Sequence, residues 1–238
     1  MMRLAGIIWD YDGTIADTYE KNRRVTIELL KNFDKDIADH LPEVLQTTEA
    51  FKASQQRYFS WRSQYRDEFG LTDKQIAKAE KLWAFYQMSD TEIPKSLQNC
   101  GWLNTFYCSF RMSVCSQNSR DNIIRTLDHY SLQQLFRCVV GYEEVPEQFS
   151  KPDPTAIVKC VIGMKRSIHS GVFAYIGNDA IDVELVKRAE EEVGAHIRSI
   201  AFLPNDPTAA KEWKLQPDYV AKDTKEILEA IYEIEDRS

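Results

Sequence analysis

Two carboxylates, Asp10 and Asp12, stand two residues apart at the end of an apolar run, and Gly13-Thr14 follows at once. A pair so spaced on one turn suits phosphoryl transfer. One carboxylate attacks phosphorus, the other gives and takes a proton, and both can stand beside a bound magnesium ion. On that reading Asp10 is the nucleophile and Asp12 the acid–base group. The same residues also describe a strand ending in a tight acidic turn, where Gly13 supplies the unusual backbone angles and an Asp caps the turn. What else reaches that strand end decides between the two.

The elements around the pair are legible from periodicity. Leu4 to Trp9 is a short, nearly continuous apolar run, as in a buried central strand. From about Asp17 to Ser89 apolar residues recur at helical spacing instead. Val25, Leu29 and Phe33 share one face, and Phe51, Tyr58, Trp61, Tyr65 and Phe69 share another that ends at Gly70. Ile76, Ala79, Leu82, Trp83 and Tyr86 outline a third, capped by Thr72-Asp73. Leu41-Pro42 breaks the chain between the first two.

After Ile93-Pro94 the pattern alternates. Strands are expected at Phe110–Cys115, Cys138–Val140, Val172–Ile176, Ser199–Phe202 and Tyr219–Val220. Helices are expected at Arg120–Leu127, Pro154–Ile162, Asp182–Val193 and Thr224–Ile234. The expected fold is α/β: a Rossmann-like three-layer core with a parallel sheet, residues 1–16 and 92–238, plus an inserted α-helical domain, residues 17–91.

In open α/β sheets the working crevice lies at the carboxyl ends of the strands. The first expected strand ends in Asp10, another in Ser116-Gln117-Asn118, and a third in Gly177-Asn178-Asp179-Ala180-Ile181-Asp182. Between the last two lies Lys151-Pro152-Asp153-Pro154. Each has a plainer reading: Ser116 as a strand end or helix cap, Lys151 as a solvated loop cation, Asp182 as the cap of its helix. Their order at successive strand ends is what joins them into one site.

With those residues in place the chain resembles the haloacid dehalogenase-like (HAD) superfamily, over essentially its whole length. The family's four motifs have counterparts in order: Asp10 to Thr14, Ser116, Lys151, and the acidic loop Gly177 to Asp182. The helical insert resembles the cap domain called C1. The resemblance implies an aspartyl-phosphate formed on Asp10, proton transfer by Asp12, a phosphoryl contact from Ser116, and charge neutralisation by Lys151. Thr14, Gln117 and Asn118 are implied as phosphate contacts. Mg2+ is implied as cofactor, held by Asp10, the Asp12 carbonyl and the acidic loop through Asn178, Asp179 or Asp182. One position departs from the pattern. The family commonly has an acid directly after the glycine, and here that residue is Asn178, whose amide oxygen contributes no charge.

A carboxylate at Asp12 can protonate an alkoxide leaving group, so the resemblance implies hydrolysis of a phosphomonoester of the phosphoglycolate phosphatase kind. Phosphomutase action, as in β-phosphoglucomutase relatives, is the alternative, and a phosphate-binding module of weak catalytic power is a third, prompted by Asn178. Arg23, just beyond the catalytic turn, could grip an anionic substrate group, as could Arg24, Arg57, Arg62 or Arg66, although charges on amphipathic helices usually form a solvated face.

Composition narrows the field further. Across 238 residues the net charge is −7, which argues against a nucleic-acid groove or an anionic membrane as the main partner. The five cysteines are odd in number and lack paired spacing, which fits a reducing, cytoplasmic setting. The apolar stretch after Arg3 is short and runs into Asp10, so no signal peptide is expected, and no run approaches membrane-spanning length. A soluble monomer or homodimer acting on a small phosphorylated metabolite is expected.

Overall fold

A computed structural model describes residues 3–237 except 38 and 59; the side chain of Cys100 also lies outside what is described. The chain begins with β1 (Leu4–Trp9) and the two-residue strand β2 (Ala16–Asp17). Helices α1 (Tyr19–Leu30), α2 (Glu43–Gln46), α3 (Thr48–Gln55), α4 (Trp61–Asp67) and α5 (Asp73–Ser89) follow, and β3 (Lys95–Ser96) pairs back with β2. Then come α6 (Cys100–Ser109), β4 (Met112–Cys115), α7 (Arg120–His129), β5 (Phe136–Val140), α8 (Thr155–Gly163), β6 (Val172–Gly177), α9 (Ala180–Val193), β7 (His196–Phe202), β8 (Tyr219–Ala221) and α10 (Thr224–Arg237). The chain forms two compact units, one of Asp17–Lys95 and one of the segments on either side.

The larger unit is built on a six-stranded sheet in the order β5-β4-β1-β6-β7-β8, parallel throughout. Every residue of β1 is buried, and its side chains go to two separate cores, alternating from Ile7 to Trp9 after a register shift between Leu4 and Gly6. Ile7 and Trp9 face a layer formed by Leu103 and Phe106 of α6, Ile123 and Leu127 of α7, and Ile227 and Ile231 of α10. Ala5 and Ile8 face Ile157 and Cys160 of α8 and Leu185 and Val186 of α9. The result is the three-layer α/β fold read from the sequence. The apolar run of β1 is continuous because both its faces are covered.

Strand order reverses about β1. The chain builds outward through β4 and β5, then crosses to β6 on the other side. The loops after β1, β4 and β6 therefore open into one crevice, the topological switch point of an open parallel sheet.

The helical unit has its own interior. Phe51 and Tyr65 are fully buried, and the Trp61 and Trp83 rings stack at 5.7 Å with planes 4° apart. Those tryptophans are core, as their helical spacing suggests. The apolar face from Phe51 to Phe69 is not one helix, however. It divides into α3 and α4, because turns at Arg57 and Tyr58 end the first and Ser60 restarts the second through a capping box with Ser63. Thr72 caps α5 as expected, reciprocally with Gln75.

Helix α6 has no counterpart in the sequence reading. It carries buried Leu103 and Phe106 but also half-exposed Trp102 and Tyr107, so its apolar residues lie all round and blur the period. Its start is set by Asn99, whose side chain accepts from the amides of Gly101 (2.9 Å) and Trp102 (3.3 Å). Among the described residues no helix is long and apolar enough to cross a membrane. Replacing Asn99 with Ala removes both acceptors, and a denaturation midpoint should report a loss of about 1 kcal/mol; an unchanged midpoint contradicts the capping role.

Candidate active site

The last rung of the central ladder places the first carboxylate. Asp10 donates its amide to the Ile176 carbonyl (2.8 Å), and the chain then turns sharply. The Tyr11 carbonyl accepts from Thr14, Ile15 and Ala16, and Gly13 sits at φ 73°, a backbone region that disfavours side chains. The turn thus holds Asp10 and Asp12 over the crevice. Tyr11 itself points into the core, where its hydroxyl donates to Thr126 Oγ1 of α7 (2.8 Å).

Two groups of contacts form around the pair. Lys151 Nζ donates to Asp10 Oδ1 (2.6 Å) and to Asp182 Oδ1 (2.8 Å), and all three residues are buried. Asp12 accepts from Asn118 Nδ2 at Oδ1 (2.7 Å) and from Ser116 Oγ at Oδ2 (3.1 Å). Asp10, Asp12, Ser116, Lys151 and the loop after β6 are thus brought together from four places in the sequence.

Asp182 joins Lys151 to the loop after β6. Its Oδ1 accepts from Lys151 and from the Tyr175 hydroxyl (3.0 Å), and its Oδ2 accepts from the amides of Asn178 (3.1 Å) and Asp179 (3.3 Å). Four donors surround it, so this carboxylate orients Lys151 and the loop. A Cβ at Gly177 would fall inside that carboxylate, which explains the glycine. Helix α9 also starts earlier than expected: Asp179, not Asp182, is its cap, accepting from Ile181 (3.1 Å), while Asp182 closes the capping box.

Other expected contacts are placed differently. Thr14 is fully buried and donates to Asn178 Oδ1 (3.3 Å), tying two loops instead of presenting a hydroxyl to a ligand. Gln117 is half-buried between Ser116 and Asn118. Arg23 stands in the helical unit, where it grips both oxygens of Glu20 and the Leu45 carbonyl. That pairing pulls the Glu20 carboxyl down to about 2.

Two positioning residues escaped the sequence reading. Tyr175 lies inside an apolar strand run, and only its place two residues before Gly177 hints that its hydroxyl reaches the loop. Gln98 is buried, donates to the Thr14 carbonyl (2.5 Å) and accepts from Thr224 Oγ1 (2.9 Å), anchoring the first loop to the start of α10.

Charge explains the cluster's chemistry. Burial pushes the Asp10 carboxyl well above the usual carboxylate range, against the pull of Lys151, and the charges of Asp182 and Asp12 add to the rise. Burial disfavours the Lys151 ammonium, yet Asp10 and Asp182 outweigh it and hold the group well above its usual value. Burial and Asp182 likewise raise Asp179. Asp10, Asp179 and Asp182 around one ammonium leave an excess of negative charge.

That excess is the setting a divalent cation would relieve. Among the described residues no three His, Cys, Asp or Glu side chains form a ready-made ligand group. The oxygens at hand are the Asp10 carboxylate, the Asp12 carbonyl, the Asn178 amide and the Asp179 carboxylate. Hard oxygen donors few enough to leave room for water suit magnesium, so the residues fit the ion.

Residues 7–195 match the sequence profile of the haloacid dehalogenase-like hydrolases. The chain belongs to that family. No curated protein matches it in sequence. Solved structures share its fold at low identity. A predicted phosphoglycolate phosphatase from Haemophilus somnus is 16% identical, with 97% of this chain and 99% of that one covered and a TM-score of 0.69. A β-phosphoglucomutase from Clostridium difficile is 16% identical over 98% of each chain, at 0.70. A hydrolase from Pseudomonas syringae is 17% identical over 97% and 99%, also at 0.69. In this chain the first motif ends a strand in the middle of the sheet.

Replacing Lys151 with Met strands two buried carboxylates, so the thermal midpoint should fall by the equivalent of about 3–5 kcal/mol at pH 7.5. A carboxyl raised in the folded state binds protons there first, so stability is lost as pH rises through its folded value. The deficit should therefore shrink toward pH 5. A deficit that is absent, or that grows on acidification, contradicts the pairing.

Proposed function

We propose that the protein is a magnesium-dependent phosphatase of small phosphorylated metabolites, acting through an aspartyl-phosphate. The carrying observation is the buried Asp10–Lys151 pair, with Asp12, Ser116 and Asn118 beside it in the crevice at the carboxyl end of the sheet.

Chemistry follows from which atoms are committed. Asp10 Oδ1 is held by Lys151, and Oδ2 takes no side-chain donor among the described residues, so Oδ2 is the attacking atom. As its bond to phosphorus forms, the bond from phosphorus to the ester oxygen breaks, and Asp12 protonates the departing alkoxide. Water then attacks the phosphorus of the aspartyl-phosphate. Asp12 takes the water's proton, the bond from phosphorus to Asp10 breaks, and inorganic phosphate leaves. Lys151 offsets charge on the transferring group throughout, Ser116 Oγ can turn its single proton from Asp12 Oδ2 to one of that group's oxygens, and the Tyr11 amide has no acceptor among the described residues. Mg2+ held by Asp10, the Asp12 carbonyl and Asn178 or Asp179 would supply electrostatic stabilisation of the phosphoryl oxygens.

Phosphomutase action is the second reading, because the residues that protonate an alkoxide can equally deprotonate a second sugar hydroxyl. Product analysis on a sugar phosphate separates the two, since a mutase forms the isomer faster than free phosphate. For the phosphatase, p-nitrophenyl phosphate with magnesium should be turned over, and Asp10→Asn should lower the rate by about a thousandfold or more. A chelator should abolish the activity, and added magnesium should restore it. Turnover that survives Asp10→Asn contradicts the proposal.

A further inference from the structure

We infer that Asn118 is a positioning residue that fixes the rotation of the Asp12 carboxylate, and not a contact for substrate phosphate; the inference rests on the phosphatase reading. Asn118 is buried, and its amide orientation is decided by its neighbours. Its Oδ1 accepts from the backbone amide of Ser119 (2.7 Å), a group that can only donate, and from Asn122 Nδ2 (3.2 Å). The Nδ2 end is therefore the one that faces Asp12 Oδ1, at 2.7 Å.

The support behind Asn118 closes on itself. Asn122 is fully buried, and its carbonyl accepts from Thr126 Oγ1 (3.1 Å). Thr126 Oγ1 in turn accepts from the Tyr11 hydroxyl (2.8 Å), and Tyr11 is the residue next to Asp12. Asp12, Asn118, Asn122, Thr126 and Tyr11 thus form a ring of hydrogen bonds between the turn after β1 and the start of α7. A second tie runs from the Asn118 amide to Ser116 Oγ (3.0 Å), which itself donates to Asp12 Oδ2. Both carboxylate oxygens are held by groups whose own places are set, and Asn118 is the residue common to both ties. Proton transfer requires the carboxyl to face the leaving oxygen within hydrogen-bond reach, so the ring serves the proton transfers of Asp12, and ester cleavage reads the first of them.

The dependence of rate on leaving group tests this. Substituted phenyl phosphates from good to poor leaving groups should be compared by kcat/KM, which reads ester cleavage, in the wild type, Asn118→Ala and Asn118→Asp. A misdirected Asp12 matters little when the phenol leaves unaided and much when it needs a proton. We expect a loss of about tenfold or more on unsubstituted phenyl phosphate, a much smaller loss on p-nitrophenyl phosphate, and KM little changed. Asn122→Ala, which removes only support, should shift the slope the same way by less, so the proposal stays testable if the Asn118 variants do not fold. An equal loss across the series, or a rise in KM alone, overturns the positioning role while leaving the phosphatase reading intact. A wild type that hydrolyses none of the esters above Asp10→Asn overturns both.

Discussion

One ammonium group shared between two buried carboxylates organises this site. Charges so deep in a protein cost several kcal/mol each unless they are paired and hydrogen-bonded. Lys151 pairs with Asp10 and Asp182, and Tyr175 with the amides of Asn178 and Asp179 completes the shell of Asp182. Much local structure follows from that requirement. Gly177 lacks a side chain because the Asp182 carboxylate occupies the space, and α9 begins where it does because the same carboxylate closes the capping box.

The sheet makes the arrangement possible. A parallel sheet whose order reverses about β1 delivers the ends of β4, β1 and β6 to one crevice, while helices on both faces keep the strands dry. Two electrostatically distinct sides result. Asp10 lies on the side of Lys151 and the acidic loop, where burial and neighbouring carboxylates press on its charge. Asp12 is held on the other by an amide and a hydroxyl. On the proposed reading this division separates nucleophile from proton carrier, although the two residues stand only two positions apart.

What the sequence disclosed, and what it hid, follow physical lines. Leu4–Trp9 was legible as a central strand because burial on both faces leaves an unbroken apolar run. Asp10, Ser116 and the Gly177 loop were legible because each stands at a strand end, and Lys151 because it lies in a Pro-rich turn just before a helix. Helix α6 was hidden because apolar residues surround it, and the break between α3 and α4 because one hydrophobic face spans both. Side-chain roles were least visible. Thr14, Asn118 and Asp182 carry groups that could meet phosphate or metal, but which neighbour each one meets depends on rotamers and on partners distant in sequence. Tyr175 and Gln98 matter for the same reason, and nothing in their type or spacing marks them.

The central claim is that Asp10 bonds covalently to phosphorus, and the acyl phosphate itself is the most direct witness. Borohydride reduces an aspartyl-phosphate to homoserine, so a single turnover quenched with borohydride and analysed by peptide mass spectrometry reports the site. The account predicts homoserine at position 10, only when a phosphorylated substrate is present. Release of phosphate with position 10 unmodified, or with homoserine at another residue, would contradict it.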